Sequence, residues 1–254
     1  LGQNLYIISS PEKYSGKEKI YFEVRRAEGR ILTDKEVLKL PDTDKNNPHS
    51  EEWKIRRDSC RKLLNYISKK NPSPRILEIG CGNGWLSAQL AGINNSKVDS
   101  IDINSAELEQ AARVFNKENL TFYYRDISKD IITDSSYDII LLAASVQYFP
   151  SLPELLGNLL PLLKNKGEIH IIDSPFYTKN TLENARQRSY EYYAGKGFSA
   201  MADYYFHHSM NDLKGYNYSY LNRFPGYRFV SLLNPKSYLY FPWIKICQQK
   251  PQQQ

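Results

Sequence analysis

Arg75-Ile-Leu-Glu-Ile-Gly-Cys-Gly-Asn-Gly-Trp-Leu86 decides how this chain is read. Arg75 to Ile79 is a short apolar run with Pro72 and Pro74 just upstream, and it reads as a buried strand. Gly80, Gly82 and Gly84 follow as a G-x-G-x-G turn, and Trp85 to Ala91 reads as the start of a helix. Such a turn brings bare backbone close to a ligand, because side chains at those positions would block the approach. Glycine-rich turns between a strand and a helix also serve as plain structural turns. Function therefore rests on what stands at fixed distances from the glycines.

Asp102 closes the next strand, in Val98-Asp-Ser-Ile-Asp-Ile103, 20 residues after Gly82. An acidic residue there can hold both hydroxyls of a ribose, in any nucleoside cofactor including NAD. Three features argue against NAD. Trp85 follows the turn, so the third glycine of G-x-G-x-x-G is missing. The stretch around the motif is acidic, whereas a dinucleotide brings a pyrophosphate. Asp126 ends a further strand as Arg125-Asp-Ile127, where a carboxylate can accept from an adenine amino group with Ile127 against the ring.

Outward from the turn, strands and helices alternate. Strand 75–79 leads to helix 85–91, strand 97–103 to helix 105–116, and strand 120–124 ends at Asp126. Strand 137–144 leads to helix 151–164, in which Gly157 and Pro161 interrupt a leucine stripe, and strand 167–173 follows. This alternation predicts a mostly parallel sheet with helices on both faces. Two further strands are expected at 227–233 and 239–248, before a loose Pro-Gln-Gln-Gln tail. Upstream, Lys19 to Arg25 reads as a short strand, and Ile31 to Leu40 as a short helix capped by Thr33. A polar linker over 41–48 then leads to a helix over 50–70, capped by Ser50. Trp53, Cys60, Leu63, Leu64 and Ile67 share one face of that helix, while Arg57, Arg61 and Lys62 share the other.

These motifs resemble the core of the class I S-adenosylmethionine-dependent methyltransferases, in the small-molecule, type-11-like branch. The resemblance runs from Leu77 to Asp173. Leu77-Glu-Ile-Gly-Cys-Gly-Asn-Gly84 matches the family's first motif, Tyr137 to Tyr148 its fourth strand and following loop, and Gly167 to Asp173 its fifth strand. It implies a Rossmann-like, doubly wound α/β sheet of seven strands. Residues 1–72 become an N-terminal helical extension, residues 73–254 the methyltransferase domain, and 176–227 a Tyr-rich insertion between the fifth and sixth strands. It implies S-adenosylmethionine as cofactor and S-adenosylhomocysteine as product. It assigns cofactor contacts to Glu78, Gly80, Cys81, Gly82, Gly84, Asp102, Ile103, Asp126, Ile127 and Ala143.

Composition sets the outer bounds. The chain has 254 residues, 41% hydrophobic and 24% charged, which is enough for one large α/β domain with an appendage. It begins at Leu1 and not Met, so a processed or trimmed chain is expected. No signal peptide is visible, and no apolar run reaches the roughly 18 residues of a membrane span. Cys60, Cys81 and Cys247 are far apart and lack metal-ligand spacing, so free thiols in a reducing cytoplasm and no metal are expected. The net charge of +6 is unevenly spread: +5 over residues 1–73, −5 over 74–175 and +6 over 176–254. An acidic core suits a cationic cofactor, and basic flanks suit an anionic acceptor, although solvated faces would carry the same signs.

The core shows no motif for the methyl acceptor. Its contacts are therefore expected on the flanks, from the insertion together with the 50–70 helix closing as a lid. His207 and His208, in Tyr204-Tyr-Phe-His-His208, could deprotonate a hydroxyl or phenol, or could be a hydrogen-bonded structural pair. Tyr148 falls on the acceptor-facing loop, where it could instead cap a helix. Trp53 and Arg57 lie on the leading helix, and a basic residue there could pair with the methionine carboxylate. Core Trp and solvated Arg are the alternatives. The insertion holds ten tyrosines, suited either to an aromatic acceptor or to packing. The function expected is methyl transfer to oxygen or nitrogen of a small molecule, anionic or aromatic, by in-line displacement. An RNA- or protein-modifying methyltransferase is one rival, less favoured because no dense basic stripe with interleaved aromatics is present. A non-catalytic cofactor-binding protein of the same fold is the other.

Overall fold

Leu77, Ile79 and the alternating residues of 137–143 place two apolar faces on one sheet, and the fold covers both. A computed structural model describes residues 4–130, 132, 136–222 and 241–248. The expected strand at 227–233, residues 239–240 of the one expected at 239–248, and the Gln-rich tail lie outside the described residues, and β10 falls within the described part of 239–248. Strands β1 (Leu5–Ile7), β2 (Arg75–Ile79), β3 (Lys97–Asp102), β4 (Leu120–Tyr124), β5 (Tyr137–Ala143) and β6 (Leu163–Ile172) belong to one sheet. So do β9 (Asn217–Tyr220) and β10 (Ile244–Cys247). Their order is β1-β4-β3-β2-β5-β6-β10-β9. Neighbours from β1 to β6 run parallel, and β10 is antiparallel to both β6 and β9.

Helices α3 (Ser50–Lys70), α4 (Trp85–Leu90) and α5 (Ser105–Val114) pack on one face, around Leu63, Leu90, Leu108, Ile139 and Leu141. Helix α6 (Leu152–Leu159) packs on the other, around Leu77, Ile140, Leu142 and Leu156. Chain order reverses on either side of β2, which opens a crevice at the carboxyl ends of β2, β3 and β5. The glycine turn lies there.

The sheet differs from expectation in its count, with eight strands among the described residues and not seven. Two strands were not expected: β9, inside the insertion, and β1, which pairs with β4 in parallel through only three residues. Of β1, Leu5 is the one buried side chain, too short a pattern to announce a strand. Lys19 to Arg25 is not a strand but part of helix α1 (Ser15–Ala27). Its aromatic and β-branched residues favour a strand locally, yet Val24 is buried against Tyr193 and Met201 only in helical form. Helix α2 (Asp34–Lys39) forms as read, with Thr33 in a reciprocal capping box with Glu36. Ser50 is the first residue of α3, not its cap, and His49 precedes it without a side-chain cap. Helix α6 ends early and passes into a 3-10 turn at Leu160–Leu162, because Pro161 has no N–H to continue the ladder.

Among its described residues the insertion holds one α-helix, α7 (Lys179–Gly195), near the expected 181–193. The second helix, expected near 200–213, is instead a 3-10 turn at Ser199–Tyr204, strand β8 (His208–Ser209) and a 3-10 turn at Met210–Leu213. Backbone groups there are committed elsewhere. Phe206 N donates to Gln147 O at 2.7 Å, and β8 pairs with β7 (Phe176–Tyr177).

Candidate active site

The glycine turn is held by the strand beside it. Gly80 N and Cys81 N both donate to Ile101 O, at 2.8 and 3.2 Å. Gly80 has φ +75°, and a Cβ there would meet Ser145 Cβ at 2.5 Å, so only glycine lets the turn lie against the loop after β5. Asp102 locks the turn from the end of β3. Its carboxylate accepts from Gly82 N at 2.7 Å, Ile103 N at 2.7 Å and Asn104 N at 2.9 Å. Burial still leaves its carboxyl above the usual range, against the pull of those three N–H groups.

Beside this turn lies a cavity of about 710 Å³. Glu78, Gly80, Cys81, Gly82, Asp102, Ile103, Asp126, Ile127 and Ala143 all line it, as does Tyr148. Gly84 is the one expected cofactor residue that does not; its role is packing against α5 and β4. Asp126 accepts from Ser128 N at 3.0 Å and Ser128 Oγ at 2.5 Å, and Tyr14 Oη donates to its other oxygen. Burial would raise its pKa, but these bonds and Lys129 hold it below the ordinary value.

Glu78 is the buried support under the turn. Ser100 Oγ donates to Ser87 Oγ at 2.9 Å, and Ser87 Oγ to Glu78 Oε2 at 2.6 Å. Burial pushes its carboxyl up from 4.5 to about 8, with the Ser87 bond opposing. The folded chain therefore keeps a proton that the unfolded chain has released between those two values. This contribution is fully present below pH 4.5 and is lost as pH rises through about 8. We expect Glu78→Gln to melt with a flatter pH dependence between pH 5 and 8 than the parent. Parallel melting curves for the two proteins would show that the carboxyl is already ionised in the fold.

The roof over the cavity comes from α3 and the insertion, as the sequence reading expected, and also from α1, which that reading did not place there. Helix α1 and the residues before it supply Tyr14, Lys17, Tyr21 and Arg25. Helix α3 adds Trp53 and Arg56, and the insertion adds Met201, Asp203, Tyr204 and Phe206. Tyr21 and Tyr148 meet edge to face at 5.7 Å, and Tyr148 meets Tyr205 likewise at 5.9 Å. Desolvation raises the Tyr148 hydroxyl above its ordinary pKa, so it stays a neutral donor. Glu107, on α5, also lines the cavity; burial pushes it up to about 7 even though Arg25 pulls it down. Ala144 and Asp173, at the ends of β5 and β6, both take left-handed backbone (φ +52°), and both line the cavity. Strain of this kind in residues other than glycine clusters at functional sites.

A methyltransferase-domain model matches residues 70–221, more than half of the chain. The chain belongs to this family. Its fold is that of the class I S-adenosylmethionine-dependent methyltransferases. The YcgJ protein of Bacillus subtilis superposes with a TM-score of 0.52 at 15% identity, over 64% of this chain and 71% of that one. A proposed S-adenosyl-L-methionine-dependent methyltransferase of Methanococcus maripaludis does so with 0.51 at 14% identity, over 78% and 87%. In sequence, the malonyl-(acyl-carrier protein) O-methyltransferase of Bacillus cereus is 29% identical over 117 residues, 44% of this chain and 43% of the relative. A second protein of that name, from Ilyobacter polytropus, is 32% identical over 117 residues, 45% of each. The chain spans about half the length of the curated relatives it matches.

Within this methyltransferase fold, two expected acceptor residues, and one residue considered for the methionine carboxylate, do not line the cavity. His207 and His208 are buried and do not line the cavity. His207 Nε2 and Ser189 Oγ are 2.9 Å apart, and His208 Nε2 lies 3.0 Å from Val146 O. Their rings pack against Tyr177, Tyr205 and Phe176, so both belong to the insertion's own packing. Desolvation lowers both pKa values, which keeps them neutral. Arg57 is exposed and bridges Asp42 at 2.9 Å. Its neighbour Arg56 reaches the cavity instead, and Trp53 lines it with its ring edge to face with Trp85 at 5.5 Å. Tyr193 and Tyr205 pack between α7 and α1, whereas Tyr204 faces the cavity.

Proposed function

We propose that the chain transfers a methyl group from S-adenosylmethionine to an oxygen or nitrogen of a small molecule, by in-line displacement. The observation that carries this reading is one continuous cavity touching the Gly80–Gly82 turn, Asp102 with Ile103, and Asp126 with Ile127. The donor set fits the cofactor. Asp102 would accept from the ribose hydroxyls, Asp126 from the adenine amino group, and Ile103 and Ile127 would flank the ring. The backbone of Gly80, Cys81 and Gly82 would follow the methionine part. When bound, the cofactor supplies a methyl group already made electrophilic by its sulfonium.

The chain's own residues then bind, orient and exclude water. Tyr21, Tyr148 and Tyr204 close the cavity with rings that hold their shape, and α1 joins the insertion and α3 as the lid. Glu107, poised at about 7, can take up a proton at its carboxylate near neutral pH if the acceptor must lose one. The relatives' name supports an oxygen acceptor. Three free cysteines suit a reducing, cytoplasmic setting.

Thermal melting tests the reading without knowledge of the acceptor. S-adenosylhomocysteine at 100 times its Kd is expected to stabilise the fold by about 2.7 kcal/mol, seen as a raised Tm. NAD and NADH are expected to give no shift. A shift with NADH and none with S-adenosylhomocysteine would end the methyltransferase reading.

A further inference from the structure

The cavity's arginines differ in how their charge is met. Arg30 bridges Glu28 at 3.1 Å and Glu52 at 2.6 Å. Arg56 bridges Glu52 at 2.8 Å and lies over the Trp53 ring. Arg25 has no such bridge among the described residues. Its buried Nε donates to nothing, and its guanidinium stands 5.7 Å from the Tyr21 ring centroid. It lines the cavity in company with Tyr21 and Tyr148.

The two carboxylates whose charge acts on Arg25, Glu107 and Glu28, are otherwise engaged. Glu107 feels the charge of Arg25 but accepts a hydrogen bond from Tyr21 and still titrates near 7. Glu28 is bridged by Arg30 and accepts from Tyr192 Oη at 2.7 Å. A half-buried guanidinium with its Nε donor buried and unfilled carries a desolvation cost that an anion in the cavity would offset. Its planar fork matches a carboxylate, to which it can give two parallel N–H bonds.

We propose that Arg25 is the anchor for a ligand carboxylate that enters the cavity beside Tyr21 and Tyr148. The assignment rests on the cofactor reading above. Two molecules could bring the group: the methyl acceptor, or the cofactor through its amino-acid end. In either case α1, from the basic N-terminal flank, becomes an element that selects what is bound, and Arg57 does not.

The test uses Arg25→Gln and Arg25→Lys in the full chain. Calorimetry measures three ligands: S-adenosylhomocysteine, its decarboxylated analogue, and malonate added to protein saturated with S-adenosylhomocysteine. If the cofactor brings the carboxylate, Arg25→Gln binds S-adenosylhomocysteine at least tenfold more weakly, with Arg25→Lys between it and the parent. The decarboxylated analogue then binds all three proteins alike, which also shows that the variants are folded. If the acceptor brings it, both nucleosides bind Arg25→Gln as they bind the parent, and the malonate binding seen in the parent is lost. Arg25→Gln indistinguishable from the parent with all three ligands would overturn the assignment. So would an equal loss of the decarboxylated analogue, which would make Arg25 a purely structural residue. A parent that binds neither nucleoside is a different result: it removes the cofactor reading, and this assignment falls with it.

Discussion

Asp102→Ala is expected to weaken S-adenosylhomocysteine binding by about 100-fold or more. One hydrogen bond to a charged group contributes roughly 1.5–3 kcal/mol, and 100-fold corresponds to about 2.7 kcal/mol. The proposed ribose contact alone could supply that. Asp102 has a second task, because its carboxylate also holds Gly82 N, Ile103 N and Asn104 N. Without it three backbone donors at the cavity wall lose their acceptor, and the turn that would carry the methionine part loosens. Affinity and stability are therefore expected to fall together. Asp102→Asn separates the two tasks in part. Its amide oxygen can keep Ile103 and Asn104, but its NH₂ then faces the Gly82 N–H, donor against donor. We expect its stability to lie between those of the alanine variant and the parent, with binding clearly weaker than the parent's. Calorimetry and thermal melting on the same preparations check this. An alanine variant that binds within threefold of the parent would show that another group holds the ribose.

The parts of the fold that follow a strong local rule were legible in the residues. Strand β4 has the expected bounds, and the turn glycines, Asp102 and Asp126 fall at the carboxyl ends of adjacent strands. Period, proline and glycine placement decide such elements locally. Helix α1 was not legible, because its residues favour a strand and its helical face is defined by Tyr193 and Met201, 169 and 177 positions after Val24. With α1 misread, Lys17, Tyr21 and Arg25 could not be placed over the site. Glu107 was missed for another reason: near the start of α5 it looks like an ordinary acidic residue in a first helical turn. The signal that could have found this roof was the charge map. Lys13, Lys17, Arg25, Arg30 and Arg56 reach the cavity from the basic N-terminal flank, and Glu78, Asp102, Glu107, Asp126 and Asp173 reach it from the acidic core. The match is partial, because Glu18 and Asp203 reach the cavity from the basic flanks and Arg125 and Lys129 from the acidic core. The histidine pair misled because residue type and position in an insertion say nothing of where a ring points.

Gly84→Ala is expected to destabilise the fold by about 2–5 kcal/mol while leaving the cofactor affinity of the folded protein unchanged. Two costs combine. Gly84 has φ +74°, which costs a residue with a Cβ roughly 1–2 kcal/mol. Its added Cβ would also lie 2.8 Å from Ala111 Cβ and from two ring carbons of Phe122. Both neighbours are fully buried, so neither can move aside cheaply, and overpacking of this kind costs roughly 1–3 kcal/mol. Gly82→Ala makes the informative partner. Its φ of +53° carries a similar backbone cost, but its Cβ would meet only Glu107 Oε2, at 3.2 Å, the far end of a flexible side chain in the cavity. The two variants are therefore expected to diverge. Gly84→Ala loses mainly stability, whereas Gly82→Ala loses less stability and more S-adenosylhomocysteine affinity, because only Gly82 borders the cavity. Denaturant unfolding and calorimetry on both proteins measure the split. If Gly84→Ala were as stable as the parent but weak in binding, the third glycine would be a ligand contact after all. The distinction follows from geometry alone: three glycines in one motif serve two ends, Gly80 and Gly82 at the cavity and Gly84 where α4 must pass close over α5 and β4.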